Sequence, residues 1–388
     1  MRGHRPRLSV IVPVHDGRKV LPLCLSSLVQ SDLPREQWEL IVVDDGSTDD
    51  TALIAARYAD KVVRLPGKTH GPAYSRNRGF ETSTGEIVVF VDADVSVHAD
   101  TLRRFLALHD AEPDVTAIFG AYDGRSGQQG FVSDFRNLLH HYVRHREAGE
   151  AERFWAGCGS IRAAAFREVG MFDEWHYSQP QVEDIELGRR LRRNGHRILL
   201  RPEIQGTHLK EWTLRDSIIS DFKRRGVPWM RLRLQESAIA RGRLRDLRTS
   251  EKLCTAAAGL GWFAIGLAAL LGALWPLGYL PAGMLSIVLI NRQFYRLALR
   301  QRGVLGALGM FPLHMIYYAT NVVSAVMGWL LHNLLGEPLA PIDATAEAGM
   351  DLRTWPPVRS RPSAGVWTDS PRRREAESTK PASAPAGS

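Results

Sequence analysis

The sequence is poor in cysteine and has no apolar run near its N-terminus. Its 388 residues contain three cysteines, Cys24, Cys158 and Cys254, without metal-ligand spacing. An odd cysteine count argues against a disulfide framework. Residues 1–7 are basic and lead directly into a strand-like segment, so we expect no cleaved secretory signal. These absences favour a reduced, cytosolic catalytic region.

Internal repeats and nucleic-acid recognition motifs are also absent, although the net charge is +8. Much of the positive charge is local: twelve Lys or Arg residues and six Asp or Glu residues lie between Lys210 and Lys252. Basic clusters next to a membrane span favour the cytosolic side and attract anionic head groups. We therefore predict that residues 209–252 form a basic interfacial segment whose partner is a membrane and not a nucleic acid.

Two long stretches lack any charged residue. They are Leu253–Asn291 and Gly303–Leu335, and an apolar helix of about 18 residues or more can cross the hydrocarbon core. The sequence predicts a transmembrane region of two to four helices over 253–335, which would make the protein a multi-pass inner-membrane protein. The Pro-, Ala- and Arg-rich tail at 336–388 is predicted to be disordered.

Short β-branched runs alternate with helical stretches in the first hundred residues. The strand candidates are Leu8–Val14, Trp38–Val43, Lys61–Leu65 and Glu86–Val91. Such alternation predicts βαβ units in a Rossmann-like α/β fold with a mostly parallel sheet and flanking helices. We expect one α/β domain over 1–235, divided into two halves at about residue 100.

Acidic residues follow two of these strands directly. Asp44 and Asp45 end the second, and Asp92-Ala93-Asp94, an Asp-x-Asp motif, ends the fourth. Ligands of such sheets bind outside the carboxyl ends of the strands. Two carboxylates there can approach one Mg²⁺ or Mn²⁺ ion, while Asp45 can accept hydrogen bonds from a nucleobase or ribose. Solvated turns and helix caps are the alternatives.

A glycine- and arginine-containing segment opens the third helix. The run Gly71–Gly79 includes Arg76, and helix N-termini and guanidinium groups both suit an anionic ligand. A surface helix that carries two arginines is the alternative.

Six motifs taken in order resemble the inverting family 2 glycosyltransferases of the GT-A fold. They are SVIVPVHDG, VVDDGSTDD, GPAYSRNRG, VVFVDADV, FWAGCGSIR and GMFDE…VEDIELGRRLRRNGHRI, and they cover roughly Arg7 to Trp229. The resemblance implies transfer of a sugar from a nucleotide-sugar donor, a UDP- or GDP-sugar, with Mg²⁺ or Mn²⁺ as cofactor. It also implies that 1–235 is a catalytic domain with a nucleotide-sugar half to about residue 100 and an acceptor half after it.

The resemblance also implies roles for single residues. Asp184 of the Glu183-Asp184 pair would be the general base, since a sugar hydroxyl needs a proton acceptor to attack. Asp92 and Asp94 would serve the ribose, the diphosphate and the metal, with Arg76 near the nucleotide. The further implied contacts are Asp45 on the nucleobase with Pro13, His15 and Asp16 in the same pocket, and Trp155, Gly157, Cys158, Gly159 and Glu183 around the donor sugar and the acceptor.

Some of these assignments have structural alternatives. His208 is a further candidate for contact with the metal or diphosphate, but a lone histidine is more often structural. Asp184 could instead cap its helix, and the glycine-rich segment Trp155–Ser160 could be a tight turn.

One departure from the family concerns the acceptor. Processive members carry Gln-x-x-Arg-Trp after the base, whereas this chain has Arg224-Arg225-Gly226-Val227-Pro228-Trp229. The missing glutamine favours single-sugar transfer, and the membrane region favours a lipid-linked or glycolipid acceptor.

Two other functions stay open at the level of sequence. A sugar nucleotidyltransferase also uses an α/β fold and acidic metal ligands, but no Gly-rich triphosphate loop lies near the N-terminus. A non-catalytic, membrane-bound sugar- or lipid-binding scaffold would not need all four of Asp45, Asp92, Asp94 and Asp184.

Overall fold

The computed structural model describes residues 5–127, 130–239 and 249–336, and the backbone of 365–367. Four parallel strands on one side of its sheet come from the β-branched runs, and three of them are almost wholly buried. They lie in the order β3–β2–β1–β4, which confirms the predicted βαβ units. The strands are β1 (Leu8–Val14), β2 (Trp38–Asp44), β3 (Lys61–Arg64) and β4 (Ile87–Val91).

Helices connect these strands and cover the sheet. The second begins at Thr51, after a turn in which the N–H groups of Thr48 and Thr51 donate to the carboxylates of Asp16 and Asp49. The third begins at Pro72, directly after Gly71, whose φ of 95° suits glycine. The helices are α1 (Leu21–Val29), α2 (Thr51–Ala55), α3 (Pro72–Glu81) and α4 (Thr101–Ala111).

The second half of the sheet is mixed, so the predicted mostly parallel sheet describes only the first half. β8 lies between β4 and β6 and is antiparallel to both, while β6 and β9 are parallel. β5 and β7 each pair antiparallel with β9. These strands are β5 (Val95–Val97), β6 (Val115–Ser126), β7 (Gly149–Glu150), β8 (Cys158–Arg162) and β9 (Arg197–His208).

The helices of the second half carry several site residues. α7 buries Leu187 and Leu191 in the core and presents its acidic first turn to the end of the sheet. A π-helical segment, Ser220–Gly226, follows α8 directly. The helices are α5 (Phe131–Arg146), α6 (Ala163–Glu168), α7 (Glu183–Arg193), α8 (Leu214–Ile219) and α9 (Val227–Ile239).

The predicted transmembrane region is helical. Among the described residues, one helix, α10 (Thr249–Leu271), is long and apolar enough to cross a membrane. α11 (Tyr279–Ile290) has twelve residues, about 18 Å, against a hydrocarbon core of about 30 Å. α12 (Arg292–Leu335) is broken at Gly303, where the second uncharged stretch begins, and continues through Pro312.

The C-terminal helices pack against the catalytic domain. Buried side chains of α5 and α12 form one apolar cluster: Phe135, Leu138, Tyr142, Phe294, Ala298, Ala307 and Met310. β10 (Gly365–Trp367) pairs antiparallel with β3 at the edge of the sheet. The rest of the predicted tail beyond Gly336 lies outside the described residues.

Candidate active site

Asp45 follows β2 and fixes the loop that precedes α3. Its carboxylate accepts hydrogen bonds from the backbone N–H groups of His70 (2.9 and 3.0 Å) and Gly71 (2.8 Å) and from the Thr69 hydroxyl (2.7 Å). Its exposed fraction is 3%. In this structure Asp45 therefore anchors the start of α3, and both its oxygens are occupied by the protein.

The other residues predicted for the nucleotide pocket lie beside Asp45. The His15 ring Nδ1 is 2.8 Å from the Asp45 carbonyl oxygen. Asp16 has a positive φ of 48° and accepts a hydrogen bond from the Thr48 N–H at 2.8 Å. His15 and Asp16 are exposed and Pro13 is half-buried, so this group forms an open rim at the ends of β1 and β2.

Arg76 connects the two halves of the domain. One turn into α3, it donates from Nη2 to Asp92 Oδ1 (2.8 Å) and from Nη1 to Glu183 Oε1 (3.0 Å). Burial would lower its pKa, but the charges of Asp92 and Glu183 outweigh that effect and raise it. The end of β4 and the start of α7 are thereby joined through one buried cation.

Asp92 and Asp94 stand at the end of β4 with opposite pKa shifts. Burial raises the pKa of Asp92, against the field of Arg76. Burial also opposes ionisation of Asp94, but hydrogen bonding to His208 and the charge of Lys210 lower its pKa overall. The two side chains are 33% and 30% exposed, so both carboxylates remain open to a ligand.

His208, the further candidate for contact with the metal or the diphosphate, lies next to Asp94. Its Nε2 is 3.5 Å from Asp94 Oδ2, and its Nδ1 is 3.1 Å from Asn137 Oδ1. The ring stacks on Tyr122 at 4.5 Å between centroids. The histidine is therefore held rigidly, with one nitrogen directed at the candidate metal carboxylate.

The end of β4 offers some, but not all, of the ligands that a divalent cation needs. Among the described residues, no group of three or more His, Cys, Asp or Glu side chains forms a ready-made metal site. Mg²⁺ and Mn²⁺ are, however, often held by one or two carboxylates together with substrate phosphates. Asp94 and Asp92 offer that donor set.

Asp184 is the second residue of α7. Its Oδ2 accepts from the Ala156 N–H (3.4 Å) and its Oδ1 from the Ile185 N–H (2.8 Å). Burial, with the neighbouring charge of Glu183, raises the pKa of Asp184 to about 6. A carboxylate with that pKa is a better proton acceptor than an ordinary aspartate.

The glycine-rich loop closes the cleft between Asp92 and Asp184. The Gly157 carbonyl accepts from the Asp92 N–H at 3.1 Å. A Cβ on Gly157 would lie 2.5 Å from the Trp155 ring, and one on Gly159 would lie 2.4 Å from the Trp155 carbonyl oxygen. Burial raises the pKa of the Cys158 thiol to about 12, so this cysteine stays neutral and structural.

Three further residues converge on this cleft and were missed at the level of sequence: Tyr122, His140 and Arg144, whose guanidinium lies over the Trp155 ring at 5.6 Å. Tyr122 contacts the rings of His140 (4.3 Å), Trp155 (4.9 Å) and His208. No local pattern marks these positions, because they come from separate elements that only the tertiary fold brings together.

The family comparison matches the first half of the domain and part of the second. Residues 9–170 match the model described as "Glycosyl transferase family 2". A poly(ribitol-phosphate) beta-N-acetylglucosaminyltransferase, TarS of Staphylococcus aureus, is 37% identical over 108 residues, 27% of this chain and 19% of that protein. A validoxylamine A glucosyltransferase of Streptomyces hygroscopicus is 27% identical over 228 residues, 50% of this chain and 53% of that protein.

A solved structure shares the fold. The mannosyltransferase PcManGT of Pyrobaculum calidifontis, in complex with GDP-Man and Mn²⁺, superposes with a TM-score of 0.50 over 86% of this chain and 88% of that one, at 18% identity. The curated relatives cited above are matched over about a fifth to a half of their length. Residues 9–170 therefore resemble a glycosyltransferase family, and the mixed α/β sheet with flanking helices has the fold of a solved mannosyltransferase.

Proposed function

We propose that this glycosyltransferase domain transfers a single sugar, with inversion, from a UDP- or GDP-sugar to a membrane-associated acceptor, and that it requires Mg²⁺ or Mn²⁺. The observation that carries the proposal is the convergence of strand-end carboxylates in one cleft. Arg76 holds Asp92 and Glu183, and the loop residue Ala156 binds Asp184, next in sequence to Glu183.

The donor would lie across the carboxyl ends of the parallel strands, where ligands of such sheets bind. The nucleoside would meet the rim of Pro13, His15 and Asp16 around Asp45. The Asp45 carboxylate already accepts hydrogen bonds from His70 and Gly71. We therefore assign Asp45 to holding the loop that precedes α3, and the nucleobase would contact the edge of its carboxylate.

Asp94 and Asp92 would hold the divalent ion, with His208 supporting Asp94. When bound, the ion neutralises the diphosphate leaving group. The low pKa of Asp94 keeps its carboxylate ionised, and Arg76 keeps Asp92 in place.

Asp184 would accept the proton of the acceptor hydroxyl. The hydroxyl oxygen forms a bond to the anomeric carbon while the bond from that carbon to the diphosphate oxygen breaks. The nucleoside diphosphate leaves with the electron pair, and attack from the opposite face inverts the anomeric centre. The raised pKa of Asp184 suits this proton transfer near neutral pH.

A membrane-associated acceptor is supported by the helices next to the cleft. α10 is long and apolar enough to cross a membrane, and α8 exposes Leu214, Ile218 and Ile219 beside the basic segment. Apolar and basic residues combined on one surface helix favour a membrane interface. We therefore propose that the domain lies on the cytosolic face of an inner membrane and acts on a lipid-linked or glycolipid acceptor. The two to four spans expected from the sequence stay a prediction, since one helix of the described residues is long and apolar enough.

The proposal is tested on the full chain purified in detergent. Melting temperatures are measured with UDP, GDP and their sugars, each with Mn²⁺ or with EDTA. We expect stabilisation by one nucleotide family that is lost in EDTA and in Asp94→Asn, but kept in Glu203→Gln, an exposed carboxylate on β9 used as control. If none of the nucleotides raises the melting temperature, the proposal is contradicted.

A further inference from the structure

Asn137 lies on α5 and, in the described part of the chain, forms a hydrogen bond with His208. Its exposed fraction is 1%. Its Oδ1 is 3.1 Å from His208 Nδ1, which is a hydrogen-bond distance. Its Nδ2 is buried and has no hydrogen-bond partner among the described residues. A buried amide that is partly unpaired costs free energy, so the contact with His208 is the polar contact by which this side chain can act.

The His208 ring is fixed in orientation, and each of its nitrogens has its own neighbour. The residue is 6% exposed, and its ring stacks on Tyr122 with 13° between the ring planes. The Trp212 ring lies 6.2 Å away between centroids. Nδ1 faces Asn137, whereas Nε2 lies 3.5 Å from Asp94 Oδ2. The two nitrogens therefore connect a buried amide on one side with a candidate metal carboxylate on the other.

The Asn137 oxygen decides where a neutral His208 ring carries its proton. An amide oxygen only accepts hydrogen bonds, and a neutral imidazole has a proton on one nitrogen alone. The proton therefore lies on Nδ1, and Nε2 keeps a lone pair directed at the Asp94 carboxylate. Two electron-rich groups that face each other are stabilised by a positive charge between them, either a second ring proton or a cation.

The distance between these two groups suits a divalent ion. Adjacent ligands of an octahedral ion such as Mg²⁺ each lie about 2.1 Å from it, and hence about 3 Å from one another. His208 Nε2 and Asp94 Oδ2 are 3.5 Å apart. Histidines that bind metals commonly donate their other ring N–H to an oxygen of the protein, which fixes the ring and its tautomer. Asn137 Oδ1 occupies that position.

We propose that Asn137 is a positioning residue that keeps the His208 proton on Nδ1, so that Nε2 binds a divalent cation together with Asp94. The inference rests on the proposed function and deepens it, because it makes His208 a ligand of the ion and not only a support for Asp94. With the amide reversed, Asn137 Nδ2 would donate to Nδ1, and the proton would lie on Nε2, where it excludes a cation. The two arrangements predict opposite effects of removing the amide.

Metal affinity tests the proposal on the full chain in detergent. Bound Mn²⁺ is measured by electron paramagnetic resonance, first without nucleotide and then with the nucleoside diphosphate that stabilises the protein. Asn137→Ala is expected to weaken Mn²⁺ binding about 10- to 100-fold, the effect of losing the partner of a metal-bound histidine. Asn137→Asp, whose carboxylate accepts but cannot donate, should bind Mn²⁺ at least as tightly as wild type. The control Asn194→Ala, at the opposite end of α7 from Asp184, should leave the affinity unchanged.

The position of the proton is measured without metal or substrate. Nitrogen NMR of protein with isotope-labelled histidine, at about pH 8 where an ordinary histidine is neutral, distinguishes a protonated ring nitrogen from a bare one. The His208 signals are identified by their loss in His208→Ala. We expect a proton on Nδ1 in wild type and in Asn137→Asp. In Asn137→Ala we expect it on Nε2, because Asp94 is then the remaining acceptor. A wild-type ring with a bare Nδ1 would overturn the proposal.

The outcomes separate a positioning role from a structural one and from the proposed function. If Asn137→Ala and Asn137→Asp lower the melting temperature and the Mn²⁺ affinity alike, Asn137 has only a packing role and the proposal is overturned. If Asn137→Ala binds Mn²⁺ as wild type does, His208 needs no positioning and the proposal also fails. If no nucleotide stabilises the protein while Asn137→Ala weakens Mn²⁺ binding, the proposed function fails and the positioning of His208 stands.

Discussion

Two buried charges, Asp45 in the first half of the domain and Arg144 in the second, are held differently. In the first half, Asp45 accepts hydrogen bonds from Thr69, His70 and Gly71. In the second half, Arg144 is similarly buried and has no counter-ion among the described residues, and the pKa of Asp184 is raised to about 6. In the first half, which would bind the donor, the hydrogen bonds of Asp45 are satisfied without a ligand. In the second half, which would bind the acceptor, Arg144 carries a charge that a ligand would stabilise.

This difference indicates which half should respond to which kind of change. Removing a group from the satisfied half leaves unpaired donors and should reduce stability as well as nucleotide binding. Removing Arg144, which has no ion pair in the described part of the chain, should affect catalysis or acceptor binding and spare the fold, since an unpaired buried charge contributes no stability.

The largest expected effect is that of Asp184→Asn. The amide cannot accept the hydroxyl proton, and general-base catalysis contributes about 10²- to 10⁴-fold. We expect transfer to fall by that factor, measured as initial rates of nucleoside diphosphate release with acceptor present.

The control for this variant is nucleotide binding, which belongs to the first half. The apparent affinity for nucleoside diphosphate with Mn²⁺, measured from the shift in melting temperature, should stay within about twofold of the wild-type value. Undiminished transfer would remove Asp184 as the base, and a joint loss of transfer and nucleotide binding would make its role structural.

The next effect, about 100-fold, is expected from Asp94→Asn. The variant removes the ionised carboxylate whose low pKa suits a cation, and a bound metal is worth several kcal/mol to a charged leaving group. Transfer should fall and its Mn²⁺ requirement should shift to higher concentration, measured by metal titration. His208→Ala should produce a smaller shift of the same kind, since it supports Asp94. An unchanged titration in both variants would place the metal elsewhere.

The first half of the fold was predictable because its signals are local. β1 has the predicted bounds, and β2, β3 and β4 each match to within a residue. Runs of β-branched residues between helical stretches specify parallel strands, and parallel strands carry their ends to one edge of the sheet. The neighbouring positions of Asp45, Arg76 and Asp92 follow from that order.

The second half was predictable only in part because its pairings are non-local. The antiparallel insertion of β8 between β4 and β6 depends on packing between distant segments. Asn137 and His208 belong to α5 and β9, 71 positions apart in the sequence. The role of Asp184 as base stays a prediction.

A third prediction compares stability in the two halves directly. Asp45→Ala leaves the Thr69 hydroxyl and the N–H groups of His70 and Gly71 without their acceptor. We expect a loss of about 1–3 kcal/mol in stability, seen as a lower melting temperature, together with weaker nucleotide binding. Arg144→Met should show neither effect. Equal destabilisation by the two variants would abolish the contrast between the halves.

The smallest expected effect is a pH dependence confined to the second half. Burial raises the pKa of Asp184 to about 6, so the base gains its active, ionised form only as pH rises through that value. The rate constant kcat/KM should therefore fall about tenfold per pH unit below pH 6. Because the charge of Arg225 lowers the pKa of Asp184, Arg225→Ala should move the midpoint to higher pH. Nucleotide binding should fall less than transfer at pH 5, since Asp94 stays ionised there. A midpoint that Arg225→Ala leaves in place would show that another group controls the profile.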